Sequence, residues 1–368
     1  MTLILTFLGK GGTGRTTVAI AAAKRQAAQG QRVLLASQDA SPVLSLLLGP
    51  LPDSPDPHPL TDHLDVVQFQ STHLLEQSWE TMKDLEAQHV RTPFFKEVFG
   101  QELGILPGMD QALALNALRE YVESGRYDTI VYDGTGDLIT LRMFGMPEIL
   151  SWYLRRFRKV VTNSDLARAL SPFLQPISSA IFHNISFSSD NFAEPTNQVN
   201  DLLDRGKAAL ADPRQVIAYL VTTGDAAAIA MARYLWGSAQ QIGLTVGGVI
   251  LNQGITVPVA TQPDFAPLPL SQLPPRLGDD WQPLLAALPD FANPASVPAP
   301  MSIDISGRKV SLFLPGFAKK QVKLTQYGPE ITIEAGDQRH NVFLPPELSG
   351  RPVAGAKFQD SYLIISFG

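Results

Sequence analysis

The residues best equipped for chemistry stand together near the start of the chain, in Gly9-Lys10-Gly11-Gly12-Thr13-Gly14-Arg15-Thr16-Thr17. Glycines let a backbone turn back and point its N–H groups inward, and Lys10 and Arg15 add positive charge. Thr16 supplies a hydroxyl of the kind that ligates Mg²⁺, with Thr17 beside it. Such a loop works only where a strand delivers it and a helix leaves it, because the helix N-terminus adds the positive end of its dipole. Leu3-Ile4-Leu5-Thr6-Phe7-Leu8 is an apolar run that reads as a buried strand. Val18-Ala19-Ile20-Ala21-Ala22-Ala23-Lys24 is rich in helix formers. The chemistry predicted is phosphate binding. One position departs from the usual G-x-x-x-x-G-K-[ST] spacing: Arg15 stands where Lys is the rule.

Three further side chains fall where a phosphate site would use them. Tyr127-Asp128-Thr129-Ile130-Val131-Tyr132-Asp133 reads as a buried strand with an acid at its carboxyl end, where a carboxylate serves Mg²⁺ directly or through water. Arg32-Val33-Leu34-Leu35-Ala36 reads as a second strand, running out at Ser37-Gln38-Asp39-Ala40-Ser41-Pro42. Ligands of parallel sheets bind beyond the carboxyl ends of strands, where Asp39 falls, although Asp also suits a helix cap or turn. Val246-Gly247-Gly248-Val249-Ile250-Leu251-Asn252-Gln253 ends near Asn252, whose amide offers both a donor and an acceptor and also suits a turn cap.

With Lys10 included, the loop reads K-G-G-x-G-[K/R]-T-T, which resembles the deviant Walker A loop. That class of dimeric ATPases includes the arsenical-pump ATPase, the tail-anchored-protein targeting ATPases, the Min and Par partition ATPases and nitrogenase iron protein. The resemblance covers about residues 1–255 and extends to other motifs. Ser37-Gln38-Asp39-Ala40-Ser41 is similar to S-T-D-P-A, with Gln38 and Ala40 departing from Thr and Pro. Pro107-Gly108-Met109-Asp110-Gln111-Ala112 is similar to P-G-x-D-E-A. Asp133, Thr140, Leu141, Arg142 and Pro147 match the family's D-T-A-P-T-G-H-T-L-R region, whereas Thr135-Gly136-Asp137-Leu138-Ile139 replaces its centre. The resemblance implies ATP and Mg²⁺ as cofactors. It assigns the phosphates to Gly11, Gly12, Thr13, Gly14, Arg15, Thr16 and Thr17, and Mg²⁺ to Thr16 and Asp133. It gives Asp39 the attacking water and Asn252 the adenine. It also implies a homodimer in which Lys10 reaches the partner's nucleotide.

These elements need a parallel sheet wound on both faces. Two successive strand–helix units at the start argue for right-handed crossovers, so the fold predicted is α/β, doubly wound and mostly parallel. Gln215-Val216-Ile217-Ala218-Tyr219-Leu220-Val221-Thr222 adds a strand, and an alanine-rich helix runs from Ala226 to Gln241. Helical insertions are expected at about 70–105 and 150–210. In the tail-anchored-protein ATPases such segments form the client groove. From Ile255 to Pro300 prolines are dense enough to suggest a linker over 256–300. Residues 301–368 then break into short strands with turn residues between them, as in an antiparallel β-sandwich that folds independently. Ala356-Lys357-Phe358-Gln359-Asp360-Ser361-Tyr362-Leu363-Ile364-Ile365 resembles the A-x-F-x-D-G-x-L-x-I ending of α-crystallin-like domains, with Ser361 replacing Gly.

Composition narrows the function classes. The chain of 368 residues carries net charge −6 and 45% hydrophobic residues. That balance gives no nucleic-acid footprint, and the basic run Arg155-Arg156-Phe157-Arg158-Lys159 suits a solvated helix face. No run reaches the length of a membrane span, and Lys10 interrupts the first apolar run too early for a signal peptide, so a cytoplasmic location is expected. There is no cysteine. Thiolate capture of arsenite or antimonite, and a zinc-bridged dimer, are therefore excluded. The expected activity is Mg²⁺-dependent ATP hydrolysis, slow in turnover; the helical insertions suit either ordinary helix packing or, with the crystallin-like domain, the holding of a protein client. Arg15 and the altered loop after Asp133 also suit another reading, a degenerate nucleotide-binding module that presents the crystallin-like domain.

Overall fold

The computed structural model describes residues 1–38, 41–76, 108–161, 193–253, 262–291 and 296–368. Its central sheet has eight strands in the order β3-β4-β2-β5-β1-β6-β7-β8. The innermost are β1 (Leu3–Leu8), β2 (Val33–Ser37), β4 (Leu64–Gln68), β5 (Thr129–Asp133), β6 (Val216–Thr222) and β7 (Val246–Leu251), all paired in parallel. Only β3 (His58–Thr61) runs antiparallel, against β4. Of the parallel strands, β1, β5 and β6 are buried along nearly their whole length, which is why they read as apolar runs.

Besides two short helices, α2 (Val43–Leu48) and α7 (Gln262–Phe265), helices cover both faces. On one, α1 (Arg15–Ala28) sets Val18, Ile20 and an alanine run against Leu5, Phe7, Val131 and Val221. Alanines there let the helix axis approach the sheet closely. On the other, α3 (Met109–Glu123), α4 (Leu138–Val161) and α6 (Ala226–Gln241) cover Ile4, Leu8, Ile130 and Tyr132. Helix α3 opens after Gly108 in the left-handed region with Asp110 in its first turn, as the Pro-Gly-Met-Asp sequence suggests. Of the insertions, residues 71–76, α4 to Val161 and α5 (Ala193–Ala211) are helical; the rest lies outside the described residues.

The proline-rich segment differs from the linker expected over 256–300. β8 (Leu270–Gln272) pairs in parallel with β7 and extends the sheet. α8 (Gln282–Ala287) lies over α1, and Phe265, Leu273, Leu284, Leu288 and Phe291 are buried. Phe291 meets Phe7 and Tyr219 edge-on, with ring centroids 6.2 and 4.9 Å away. Arg25 donates to the carbonyls of Leu288 and Pro289. The proline spacing hid these elements because the prolines sit at an edge strand and in a helix's first turn, the places that tolerate them.

The C-terminal sandwich has a four-stranded sheet, β14 (Val353–Gln359), β15 (Tyr362–Phe367), β10 (Lys309–Phe313) and β9 (Met301–Asp304). A three-stranded sheet, β11 (Val322–Tyr327), β12 (Glu330–Ala335) and β13 (Gln338–Phe343), faces it. Val310, Leu312, Ile331, Ile333, Val342 and Ile365 fill the space between them. The sandwich packs against the sheet domain through α6. Trp236 of α6 meets Phe313 at 5.4 Å, Tyr234 meets Phe317 at 5.5 Å, and Gln241 Nε2 donates to the Ala335 carbonyl at 2.9 Å. Gly237 is what permits this approach, since a Cβ there would overlap the Pro315 carbonyl and the Phe317 ring.

If residues 281–291 belong to the core, Phe291→Ala destabilises the sheet domain by about 3 kcal/mol or more, the usual cost of deleting a buried Phe. Chemical denaturation followed by far-UV circular dichroism measures it; a change under about 0.5 kcal/mol would return the segment to the linker class.

Candidate functional site

The loop from Gly9 to Gly14 leaves β1 where the sheet order brings the ends of β5 and β6 alongside. Gly9 is wedged: a Cβ there would overlap the Val221 carbonyl of β6. Its N–H donates to the Gly136 carbonyl at 2.8 Å. Thr13 closes the turn, with its Oγ1 donating to the Lys10 carbonyl at 2.8 Å. Gly12 and Gly14 adopt φ of 83° and 85°, the left-handed region in which L side chains are strained. Gly14 has a second reason to lack a side chain, because Asn252 Nδ2 fills that space.

Outward, the loop is open. Gly11 and Gly12 are exposed, and a Cβ on either would meet nothing within 4 Å. The N–H groups of Gly11, Gly12 and Gly14 make no backbone hydrogen bond among the described residues. The first N–H groups of α1 add to them. This is a cradle of donors at a helix N-terminus, and it suits an anion.

Arg15 is folded inward. Its guanidinium donates to the Gly9 carbonyl, and its Nε and Cδ occupy the space a Cβ of Gly136 would take. Nε is buried without a hydrogen-bond partner among the described residues. Burial lowers the guanidinium pKa, and the charges of Asp133 and Asp137 oppose that shift. Arginine keeps its charge even so. Lys10, by contrast, is exposed, and its ammonium makes no hydrogen bond or ion pair with a described residue.

Asp133 ends β5 and is 4% exposed. Ser37, its register partner on β2, donates to Oδ2 at 3.4 Å. The Ser37 contact is the kind of detail that only strand register supplies. Beyond Asp133 the chain is tightly bonded. Thr135 Oγ1 and the Ile139 N–H donate to Asp137 Oδ1 at 2.7 and 2.8 Å, and the Gly136 N–H donates to Thr140 Oγ1 at 2.9 Å. Sequence comparison marks this stretch as divergent; the structure gives it a job, covering Arg15 and starting α4.

Asn252 is buried at the end of β7. Its Nδ2 donates to the Thr13 carbonyl at 2.8 Å and its Oδ1 accepts from the Gln253 N–H at 3.0 Å. The amide props the phosphate loop, which combines the turn-capping alternative with a position beside the site. One N–H and one oxygen lone pair remain for a ligand. Thr16 and Thr17 are half-buried in the first turn of α1. Asp39 lies outside the described residues.

The residues present fit a nucleotide with Mg²⁺. The donor cradle, the unpartnered Arg15 Nε and the buried Asp133 supply what phosphates and a hard cation require. No group of three or more His, Cys, Asp or Glu gathers as a metal site among the described residues, so Mg²⁺ would rely on hydroxyl, carboxylate, phosphate and water. No helix among them is long and apolar enough to cross a membrane.

Strand, glycine loop, helix and an acid on the adjacent strand define a P-loop nucleotide-binding fold. Residues 2–265 match the model of the anion-transporting ATPase family, and residues 305–367 match that of the HSP20-like domain found in ArsA. The chain belongs to that ATPase family, and its C-terminal sandwich is HSP20-like. A Chlorobaculum tepidum protein, provisionally named arsenical pump-driving ATPase, is 26% identical across 99% of this chain and 95% of its own length. An uncharacterised Streptomyces coelicolor protein is 28% identical across 100% of this chain and 97% of its own length. The ATPase GET3 of Malassezia globosa is 23% identical over 69% of this chain and 73% of its own length.

Because Asn252 holds the Thr13 carbonyl, Asn252→Ala is expected to cost the nucleotide-free protein about 1–2 kcal/mol through the orphaned buried acceptor. Thermal melting without nucleotide measures this. An unchanged melting temperature would mean that the amide serves a ligand alone.

Proposed function

We propose that the chain is a Mg²⁺-dependent ATPase of slow turnover that works as a homodimer, and that it does not move metalloids by thiolate capture. The observation that carries this reading is the pairing of an outward donor cradle at Gly11–Gly14 with an inward Arg15 beside Asp133. In this reading the Gly11, Gly12, Thr13 and Gly14 backbone and the first N–H groups of α1, Thr16 and Thr17 included, bind the phosphates. Arg15 leaves Gly9 to neutralise them. Thr16 and Asp133 hold Mg²⁺, which when bound offsets the negative charge of the phosphates. Ser37 keeps the Asp133 carboxylate oriented. Asp39 orients the attacking water, and Asn252 offers its remaining amide capacity to adenine. Lys10 is placed to serve a partner subunit's nucleotide, since its ammonium engages none of the described residues of its own subunit. A protein client would be taken by the helical insertions or the HSP20-like domain.

One observation favours a second reading. Arg15 is well housed under Gly136 without a ligand, which suits a nucleotide sensor with little turnover.

The two cations separate the readings. Lys10→Ala should leave ATP affinity within several-fold and remove most turnover, since a charge reaching in from a partner is worth about 10³-fold or more. Arg15→Ala should weaken ATP binding by about tenfold or more, as expected for a lost charged hydrogen bond. Calorimetric titration and single-turnover assays measure both. Equal ATP affinity for wild type and Arg15→Ala would remove the phosphate role of Arg15; binding without any turnover in wild type would establish the sensor.

With no cysteine in the chain, arsenite or antimonite should leave the ATPase rate unchanged. A metalloid-stimulated rate would contradict the thiolate-free account.

A further inference from the structure

An unbroken line of contacts joins the phosphate loop to the HSP20-like domain. The Gly9 N–H donates to the Gly136 carbonyl at 2.8 Å, and the Gly136 N–H donates to Thr140 Oγ1 in the first turn of α4 at 2.9 Å. On the next stretch of α4, Arg142 pairs with Asp337, in the turn between β12 and β13. The Asp337 N–H donates to the Tyr234 hydroxyl of α6 at 3.1 Å, so the turn is fastened to two helices at once. Further along α4, Arg155 lies 3.8 Å from Glu330, and the Arg339 guanidinium stands 5.3 Å over the Trp152 ring.

Arg15 is the moving part in this line. Its Nε and Cδ fill the space beneath Gly136, and its guanidinium holds the Gly9 carbonyl. To reach an anion in the open cradle it must leave both. The Gly136 loop then loses its support, and Thr140 ties that loop to the start of α4. A domain fastened to α4 at Arg142 resists the shift.

The seam is not purely apolar. Trp236 Nε1, both polar atoms of Gln240, Gln241 Oε1 and Gln338 Nε2 are buried without hydrogen-bond partners among the described residues. Trp236 and Gln241 contact the sandwich directly, and Gln338 stands opposite Ala335, whose carbonyl Gln241 holds. Gln240 lies one helical turn from Trp236, on the same face. Water reaching these groups on opening would satisfy them, which narrows the free-energy gap between docked and released states.

We infer that the HSP20-like domain restrains the nucleotide site: Asp337, acting through Arg142, is a positioning residue that holds α4 and keeps Gly136 over Arg15. Nucleotide binding and domain docking therefore oppose each other, and linkage requires that each weaken the other by the same factor. This rests on the proposed binding of ATP at Gly9–Thr17.

The test uses the full-length protein and a non-hydrolysable ATP analogue with Mg²⁺. Asp337 and Arg142 are exposed side chains, 67% and 51% accessible, so their substitution spares the fold. Asp337→Ala should tighten analogue binding by about threefold, the scale of one exposed ion pair. The exchanged pair Arg142→Asp/Asp337→Arg should return the affinity to the wild-type value. In wild type, analogue binding should speed hydrogen exchange of the amides at 335–340, and Asp337→Ala should speed it without nucleotide, a response that a merely structural role at the nucleotide would not produce. Wild type that binds the analogue with the same affinity as Asp337→Ala, or with unchanged exchange at 335–340, overturns the restraint alone. Wild type that binds no analogue overturns the nucleotide reading and the restraint with it.

Discussion

A chain that presents its backbone N–H groups outward must turn sharply while leaving them unpaired, and here that demand falls on Gly12 and Gly14. Both sit at positive φ, and the groups they free make no backbone hydrogen bond among the described residues. An unpaired loop of this kind needs bracing from elsewhere. Val221 on β6 abuts Gly9, Asn252 at the end of β7 holds Thr13, and Gly136 after β5 accepts from Gly9. The strand order that sets β5 and β6 on either side of β1 is therefore the scaffold of the site as well as of the sheet.

Arginine at position 15 shapes the rest of the account. A planar guanidinium can donate to a carbonyl and still lie flat against a glycine, which a compact ammonium does less well. Arg15 uses both properties, and the divergent Thr135–Ile139 stretch has the small residue and the carboxylate that accommodate it. Arg15, where the usual phosphate loop has Lys, and the divergent 135–139 stretch are thus adjacent in space, and each accommodates the other.

Much of this was legible beforehand because it rests on local chemistry. Glycine spacing announced the loop, unbroken apolar runs announced the buried parallel strands, and the helix Ala226–Gln241 followed from its alanines. What failed to show depended on long-range neighbours. β3 and β8 are edge strands that tolerate Pro59 and Pro269 nearby, so their prolines masked them. Phe291 reads as a linker residue until the sheet face with Phe7 and Tyr219 is assembled. The amide of Asn252 announces its bonding capacity, and only the folded chain says that half of it is spent on Thr13. Nor does any local pattern reveal that the HSP20-like domain settles on α4 and α6, since the aromatic residues that join them look like ordinary core in each.

Whether the cradle and its two cations turn over ATP is read by rapid-quench single-turnover hydrolysis in Mg²⁺, followed at rising protein concentration. Phosphate release is expected above the buffer rate, abolished by chelating Mg²⁺ and steepening as subunits associate to bring Lys10 to a partner. Tight ATP binding with no phosphate released at any protein concentration would contradict that expectation.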